Sequence, residues 1–336
     1  MNIQGTTTIQ VLIEDGSQVG HARRTATMLA QQAGMDEIDV GRVALVTTEL
    51  ATNLLKHAGH GALHLRQVPG TATHGIEVVA IDRGPGFSLA DCLPDGVSTQ
   101  GTHGIGLGAV SRQAQVFDMW ADERGAAVLA RMYPRHAAAG DIRFGITQLS
   151  LNDDPACGDG WAIAFDDTMI SVLVVDGLGH GPEAEHASQA AVAAFGQDAF
   201  AMPTAIMGNL HASMSGTRGG AAAVMQFDSA KNKVAFSGIG NIGATLVSGE
   251  STRGLASHPG IVGGQIRKVQ AFDYPQVASQ LLVMYSDGLQ SRWNLRDYPG
   301  LWRRHPALIA AILHRDYSRG RDDVTVLALV LEAQRG

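Results

Sequence analysis

Apolar and polar positions change their period partway along the chain. Residues Ser17 to Gly34 predict a helix, with Ser17 as its cap and Gly34 as its stop. A second helix is expected over Asp36–Ala58, where Val43, Val46, Leu50 and Leu54 recur as one apolar stripe. Strands follow at Ala62–Val68 and Gly75–Ile81, joined by a Pro-Gly-Thr turn. Then come a Gly-rich loop, a short helix near Ala109–Ala114 and a hairpin turning at Glu123–Gly125. Pro134 and Gly140 bracket a run with no period, which marks a boundary. Beyond it the chain is strand-rich: Phe144–Leu151, Trp161–Phe165, Met169–Val175, Ala221–Phe227, Lys233–Gly238, Thr245–Val247, Leu281–Ser286 and Val324–Leu331. Helices are expected at Ala184–Phe200, Thr204–Met214 and Ala307–Tyr317. Elements arrive in blocks rather than in βαβ alternation, which favours an α+β class in two domains, 1–135 and 141–334.

Composition agrees with two globular domains. The chain has 336 residues, 45% of them apolar and 17% charged. With 25 Lys+Arg against 32 Asp+Glu the net charge is −7, which gives no footprint for nucleic acid or an anionic membrane. Cys92 and Cys157 are too few for a disulfide framework or a four-cysteine metal site. The N-terminus lacks a basic flank and an apolar core, and no apolar run approaches the ~20 residues of a membrane span. A cytoplasmic protein with no membrane partner is the expectation.

Three features of the first half converge on a nucleotide. Glu49 and Asn53 are four apart on the second helix and share a face that His57 extends. Alone this is a solvated polar face, although Asn is a modest helix former in mid-helix. Asp82-Arg83-Gly84-Pro85-Gly86 follows a strand, where a carboxylate can accept from a nucleobase amine and glycines admit close approach. Gly101-Thr102-His103-Gly104-Ile105-Gly106-Leu107-Gly108 leads into a helix, a pattern that can cradle an anion on backbone N–H groups. In this order, over about residues 10–133, they resemble the GHKL ATPases of the Bergerat fold, most closely the anti-sigma-factor serine kinases. Glu49-Leu-Ala-Thr-Asn53 resembles the N box, DRGPGF at Asp82–Phe87 the first glycine box, and GTHGIGLG at Gly101–Gly108 the second. The resemblance implies a Bergerat-type α/β sandwich binding ATP. Asn53 would hold Mg²⁺ against the phosphates, Glu49 would be the general base, and Asp82 would read the adenine amine. Gly84, Gly86, Gly104, Gly106 and Gly108 would line the site. The family often carries a hydroxyl that supports the Asp in the following hairpin, where this chain has Gly125-Ala126-Ala127.

The second half spreads aspartates over four short segments: Cys157-Gly158-Asp159-Gly160, Asp176-Gly177-Leu178-Gly179-His180-Gly181, Ser286-Asp287-Gly288 and Asp322-Asp323-Val324-Thr325. Any one reads as an ordinary Asp-Gly turn. Together, at strand ends, they can converge, and crowded carboxylates need hard divalent cations, Mg²⁺ or Mn²⁺ rather than zinc. In this order, over about residues 142–333, they resemble the PPM (type-2C) metal-dependent protein phosphatases, in particular the SpoIIE-like branch. That implies an αββα sandwich. It implies that Asp176 bridges two metals, that the Gly177 carbonyl and Asp159 serve the second, and that Asp287 and Asp322 serve the first. Thr217–Ala221 and Gly238–Asn241 look like internal glycine elements that shape the sandwich. The arginine with which the eukaryotic branch grips phosphate has no counterpart that can be placed.

The 13 histidines show no metal spacing, although His180 can order the metal loop. Cys157 has no base partner for a catalytic thiol, and Met202, Met207 and Met214 are expected in a core. The combined resemblance implies a kinase-like domain fused to a serine/threonine phosphatase, acting on a small phosphorylated anti-sigma-factor antagonist of the STAS type. Two other readings stay open: a phosphatase under an ATP-sensing, non-kinase domain, and a non-enzymatic partner-switching scaffold.

Overall fold

The computed structural model describes residues 1–4, 7–86, 106–137, 140–249 and 251–332. The chain opens with a short strand, β1 (Asn2–Gln4). Next come β2 (Ile9–Ile13), α1 (Gly16–Gln32), α2 (Glu37–Asn53), β3 (Gly61–Pro69) and β4 (His74–Ile81). α3 (Leu107–Gln113), β5 (Val116–Asp122) and β6 (Gly125–Met132) follow. Strands β2-β3-β4-β6-β5 form one antiparallel sheet. Leu63, Leu65, Ile76, Val78, Ala80, Val128 and Ala130 alternate along its strands and pack with the buried stripes of α1 and α2.

Helix starts differ slightly from expectation, for a stated reason. Asp15, not Ser17, caps α1, because its carboxylate accepts from the Ser17 N–H while Gln18 Oε1 accepts from the Asp15 N–H, a full capping box. Asp36 caps α2 by accepting from Asp39 N at 2.8 Å. The expected helix to Ala58 is helical throughout, but its last turn, Leu54–Ala58, is a π-turn that begins directly after Asn53. Such turns recur at functional positions. Gly59, at φ +79°, ends it.

The rest of the chain comprises β7 (Phe144–Leu149), β8 (Asp159–Phe165), β9 (Met169–Gly177), α4 (Pro182–Gln197) and α5 (Pro203–Ser213). It continues with β10 (Gly220–Asp228), β11 (Lys233–Ile239), β12 (Gly243–Val247), β13 (Thr252–Gly254) and β14 (Phe272–Pro275). It closes with β15 (Leu281–Tyr285), α6 (Pro306–Tyr317) and β16 (Val324–Val330). Two antiparallel sheets result, β1-β8-β9-β10-β11-β14 and β13-β12-β15-β16-β7. They meet face to face, with Phe144 of one sheet 6.0 Å from Trp161 of the other, ring to ring. The opposite face of the first sheet (Ala162, Leu173, Val175, Val224) packs on Ala187, Ala191 and Phe195 of α4 and on Ile206 and Leu210 of α5. Met207 and Met214 join this core, but Met202 is 71% exposed ahead of α5, contrary to expectation.

The chain therefore has the mixed two-domain α+β architecture that the pattern implied. Its units are not the simple stretches 1–135 and 141–334, however. Met1–Thr7 packs with Phe144–Asn294 and Asp316–Gly336, because β1 pairs with β8. Leu295–Arg315 packs with Thr8–Arg143. That second exchange rests on a polar network. Trp120 Nε1 donates to Pro299 O at 2.9 Å, His305 N donates to Asp118 Oδ2 at 2.7 Å, and His305 Nε2 lies 3.1 Å from Asp141 Oδ2. Asp141 in turn accepts from the fully buried Arg131, which also pairs with Glu77. Burial opposes ionisation of Asp141, but Arg131 and His305 together outweigh it and hold the carboxyl well below its usual range. Among the described residues no helix is long and apolar enough to cross a membrane.

Candidate functional site

The metal-type aspartates converge within one unit. The register pairs Asp159 of β8 with Asp176 of β9, and Asp176 with Ala221 of β10. Asp176, Asp287 and Asp322 line one cleft of about 440 Å³, together with Gly179, Gly220, Gly240 and Asn241. Asp159 stands behind them, buried, with Oδ2 accepting from Ser286 Oγ at 2.6 Å. Gly177 sits where no side chain fits, since a Cβ there would lie 2.3 Å from the Ala184 carbonyl oxygen. Gly220 is equally constrained, its Cβ falling 2.2 Å from Asp176 O.

The electrostatics suit a hard cation. Burial, and then the neighbouring Asp159, Asp287, Asp322 and Asp323, push the Asp176 carboxyl up to about 9. Burial pushes Asp159 up to about 7 against the opposing Ser286 hydrogen bond, and burial also raises Asp322. An all-oxygen donor set, with no Lys or Arg among the described residues that line the cleft, fits Mg²⁺ or Mn²⁺. A stability consequence follows. Asp159 and Asp176 have folded values raised above their ordinary 3.8. Their contribution is thus fully present below that value and lost as pH rises through about 7 and about 9. In EDTA the Tm of this unit is expected to fall from about pH 5 to about pH 9, and saturating Mn²⁺ should flatten that slope. Differential scanning calorimetry checks it; a level Tm in EDTA contradicts it.

Several supporting residues escape sequence reasoning. Asn241 Nδ2 donates to Asp287 Oδ2 at 2.7 Å and orients that carboxylate from the cleft wall. Asp323 turns inward rather than toward the cleft. Its Oδ1 accepts from Leu151 N at 2.7 Å and its Oδ2 from Gly158 N at 2.6 Å, so it holds the loop that leads to Asp159. Ser286 relays the same support, since its Oγ accepts from Thr325 N while donating to Asp159. Burial pushes the Cys157 thiol up, which keeps it protonated and agrees with its having no catalytic part.

In the other unit, Glu49 lies one turn before Asn53 near the end of α2, half-buried, its carboxyl raised by burial against the opposing charge of Lys56. The π-turn after Asn53 reaches the Asp82 loop, where a Cβ on Gly84 would lie 2.8 Å from that of Ala58. Asp82 Oδ1 accepts from Gly84 N at 2.8 Å and from Ala126 N at 3.1 Å. The hairpin of this chain thus meets Asp82 through a main-chain amide. Gly86, at φ +69°, would place a Cβ 2.1 Å from Asp122 O. Gly106 precedes α3, and Gly108 lies inside the helix rather than in the loop, because α3 starts at Leu107. Gly104 lies outside the described residues, as do Phe87 and Cys92.

Residues 14–132 match the histidine kinase-like ATPase domain family. The chain is 32% identical over 99 residues to the serine/threonine-protein kinase RsbT of Bacillus subtilis, covering 29% of this chain and 74% of that protein. A solved structure from work on the bacterial stressosome is 25% identical, covers 56% of this chain and 98% of its own, and has a TM-score of 0.52. RsbX in complex with magnesium is 20% identical, covering 55% of this chain and 92% of its own, at a TM-score of 0.49. The PP2C domain of SiaA from Pseudomonas aeruginosa is 19% identical, covering 56% and 86%, at 0.48. With its N-box helix, its Asp82 loop and this degree of identity, the chain belongs to the histidine kinase-like ATPase family that includes RsbT.

Proposed function

We propose that this chain is a partner-switching regulator that binds ATP in one unit and hydrolyses a protein phosphoserine or phosphothreonine ester in the other. The observation that carries the phosphatase half is the meeting of Asp176, Asp287 and Asp322 in one cleft with Asp159 behind them. Asp176 would bridge two cations, with Asp159 and the Gly177 carbonyl serving one, and Asp287 and Asp322 the other. With divalent cations bound, these carboxylates would hold a centre able to polarise a phosphoryl oxygen and activate a water at neutral pH. Asn241, Ser286 and Asp323 keep the carboxylates aimed. In the ATPase unit Asn53 offers an amide oxygen to Mg²⁺ and Glu49 can take a proton from an attacking hydroxyl. Asp82 accepts from the adenine amine, and the glycines Gly84, Gly86, Gly104, Gly106 and Gly108 admit the nucleotide. The substrate class would be a small STAS-type anti-sigma-factor antagonist, as the motif resemblance implies; the likeness to a serine/threonine-protein kinase and to a structure from stressosome work supports a signalling role.

The nucleotide assignment has a direct test. In Asp82→Asn the amide must either turn its N–H₂ toward the adenine amine or turn it toward the Gly84 and Ala126 N–H groups that Oδ1 now accepts. Neither orientation satisfies both sides, so a loss of about 10-fold or more in ATP affinity is expected. Isothermal calorimetry reads it, and unchanged affinity removes Asp82 from the site.

A second reading, a phosphatase under ATP control without kinase action, is favoured by one observation. Leu295–Arg315 lies in sequence between the Ser286-Asp287 and Asp322-Asp323 segments, yet it packs in the ATPase unit. On that reading ATP changes the rate of p-nitrophenyl phosphate hydrolysis at constant free Mn²⁺, while no partner protein receives phosphate.

A further inference from the structure

The Asp82 loop is anchored by a residue far outside the stretch that matches the ATPase family. Arg315, in the last turn of α6, donates from Nη1 to the main-chain oxygen of Asp82 at 2.9 Å. In return the Arg83 guanidinium donates to the main-chain oxygen of Arg315. The loop and the end of α6 are thus joined in both directions. Each bond is charge-assisted, and a cation on a last-turn carbonyl is favourable at a helix C-terminus.

The surroundings are shaped for this contact. Gly125 opens β6 at φ +128°, and a Cβ there would lie 2.2 Å from Asp82 O and 2.8 Å from Arg315 Nη1. Only a residue without a side chain leaves the guanidinium its path to that oxygen. On the far side, Asp82 Oδ1 is fixed by the Gly84 and Ala126 amides. The peptide plane of Asp82 is therefore held by Arg315 and one carboxylate oxygen by the hairpin. Together these settle the direction in which Oδ2 points.

We infer that Arg315 is a positioning residue of the nucleotide site: it touches no nucleotide but aims the Asp82 carboxylate at the base. This rests on the reading of Asp82 as the adenine contact. Adenine offers an amine where guanine offers an oxygen, so a firmly aimed carboxylate accepts from the first and repels the second. Loss of aim erodes that discrimination, whereas a merely structural fault weakens both nucleotides alike.

The test uses the full chain and measures Kd for ATP and GTP, each with Mg²⁺. The wild type is expected to prefer ATP. Arg315→Met keeps the apolar stem and removes the donors; its preference should fall by about 10-fold, the factor that 1.4 kcal/mol of misdirected hydrogen bonding represents. Arg315→Lys, which restores a donor, should recover part of it. Arg83→Ala, at an exposed position, tests the return bond and should lower the preference less. Equal loss for ATP and GTP in Arg315→Met, or an unchanged preference in both Arg315→Met and Arg83→Ala, overturns the inference while leaving the nucleotide site standing. A wild type that binds ATP and GTP equally overturns the adenine reading itself, and this inference with it.

Discussion

Asp176→Asn is expected to abolish hydrolysis of p-nitrophenyl phosphate and of a phosphoserine peptide. Asp176 is the central carboxylate of the cluster: it is the cross-strand partner of Asp159 and shares the cleft with Asp287 and Asp322. Its carboxyl is also pushed up further than that of Asp159, first by burial and then by its acidic neighbours, a strain that an added cation would relieve. An amide keeps the shape and one oxygen but removes the charge. Residues that only support a metal ligand cost about 10–100-fold when lost, so the shared ligand itself should cost more than about 100-fold. Two measurements make the result specific. Mn²⁺ binding by calorimetry should weaken, and the fall of Tm with pH in EDTA should shrink, because the most strongly raised of the three raised carboxyls, Asp159, Asp176 and Asp322, has gone. Full activity with saturating Mn²⁺ would sink the assignment.

The chemistry-bearing positions were more legible than their supports. Asp159, Asp176, Asp287 and Asp322 could be picked out because acids at strand ends are conspicuous, and the structure brings them to neighbouring strand ends. The Asp322-Asp323 doublet gives Asp322 to the metals by resemblance and leaves Asp323 without a role in the sequence reading. Only the structure shows Asp323 turning in to hold Gly158. Asn241 follows a strand and a glycine, a pattern indistinguishable from a turn. The short edge strands β1, β13 and β14 carry three or four residues each, too few for a period to register. β2 did carry one, with Ile9, Val11 and Ile13 alternating against the exposed Leu12.

The placement of α6 was the least legible feature. Its helical character is plain, but Pro306 to Leu313 are all buried, so the helix has no polar face to show which unit it serves. The partners that decide its unit, Asp118, Asp141 and the Asp82 loop, lie more than 150 residues away in sequence. The same remoteness hid Arg315. No local spacing links an arginine near the end of the chain to a loop near its start.

Glu49→Ala is expected to leave ATP bound while stopping phosphoryl transfer to a partner. Glu49 stands one helical turn before Asn53, so on the proposed reading, in which Asn53 and Asp82 carry the nucleotide, it would reach beside the terminal phosphate without bearing on binding. Its carboxyl is raised by burial yet faced by Lys56, an environment that suits a proton acceptor more basic than an exposed glutamate. Losing a general base typically costs ~10²–10⁴ in rate, so transfer of labelled phosphate to a STAS-type antagonist should fall by that factor with ATP affinity unchanged. Hydrolysis of p-nitrophenyl phosphate should persist, because the aspartate cluster belongs to the other unit and shares no residue with α2. The ATP-control reading gives a different pattern. If the wild type transfers no phosphate to any partner but ATP shifts the hydrolysis rate, Glu49→Ala should retain that shift, because binding and not transfer would carry the signal. Loss of hydrolysis in Glu49→Ala with the fold intact would show instead that the acid on α2 acts on both activities, and two separable engines would be the wrong description.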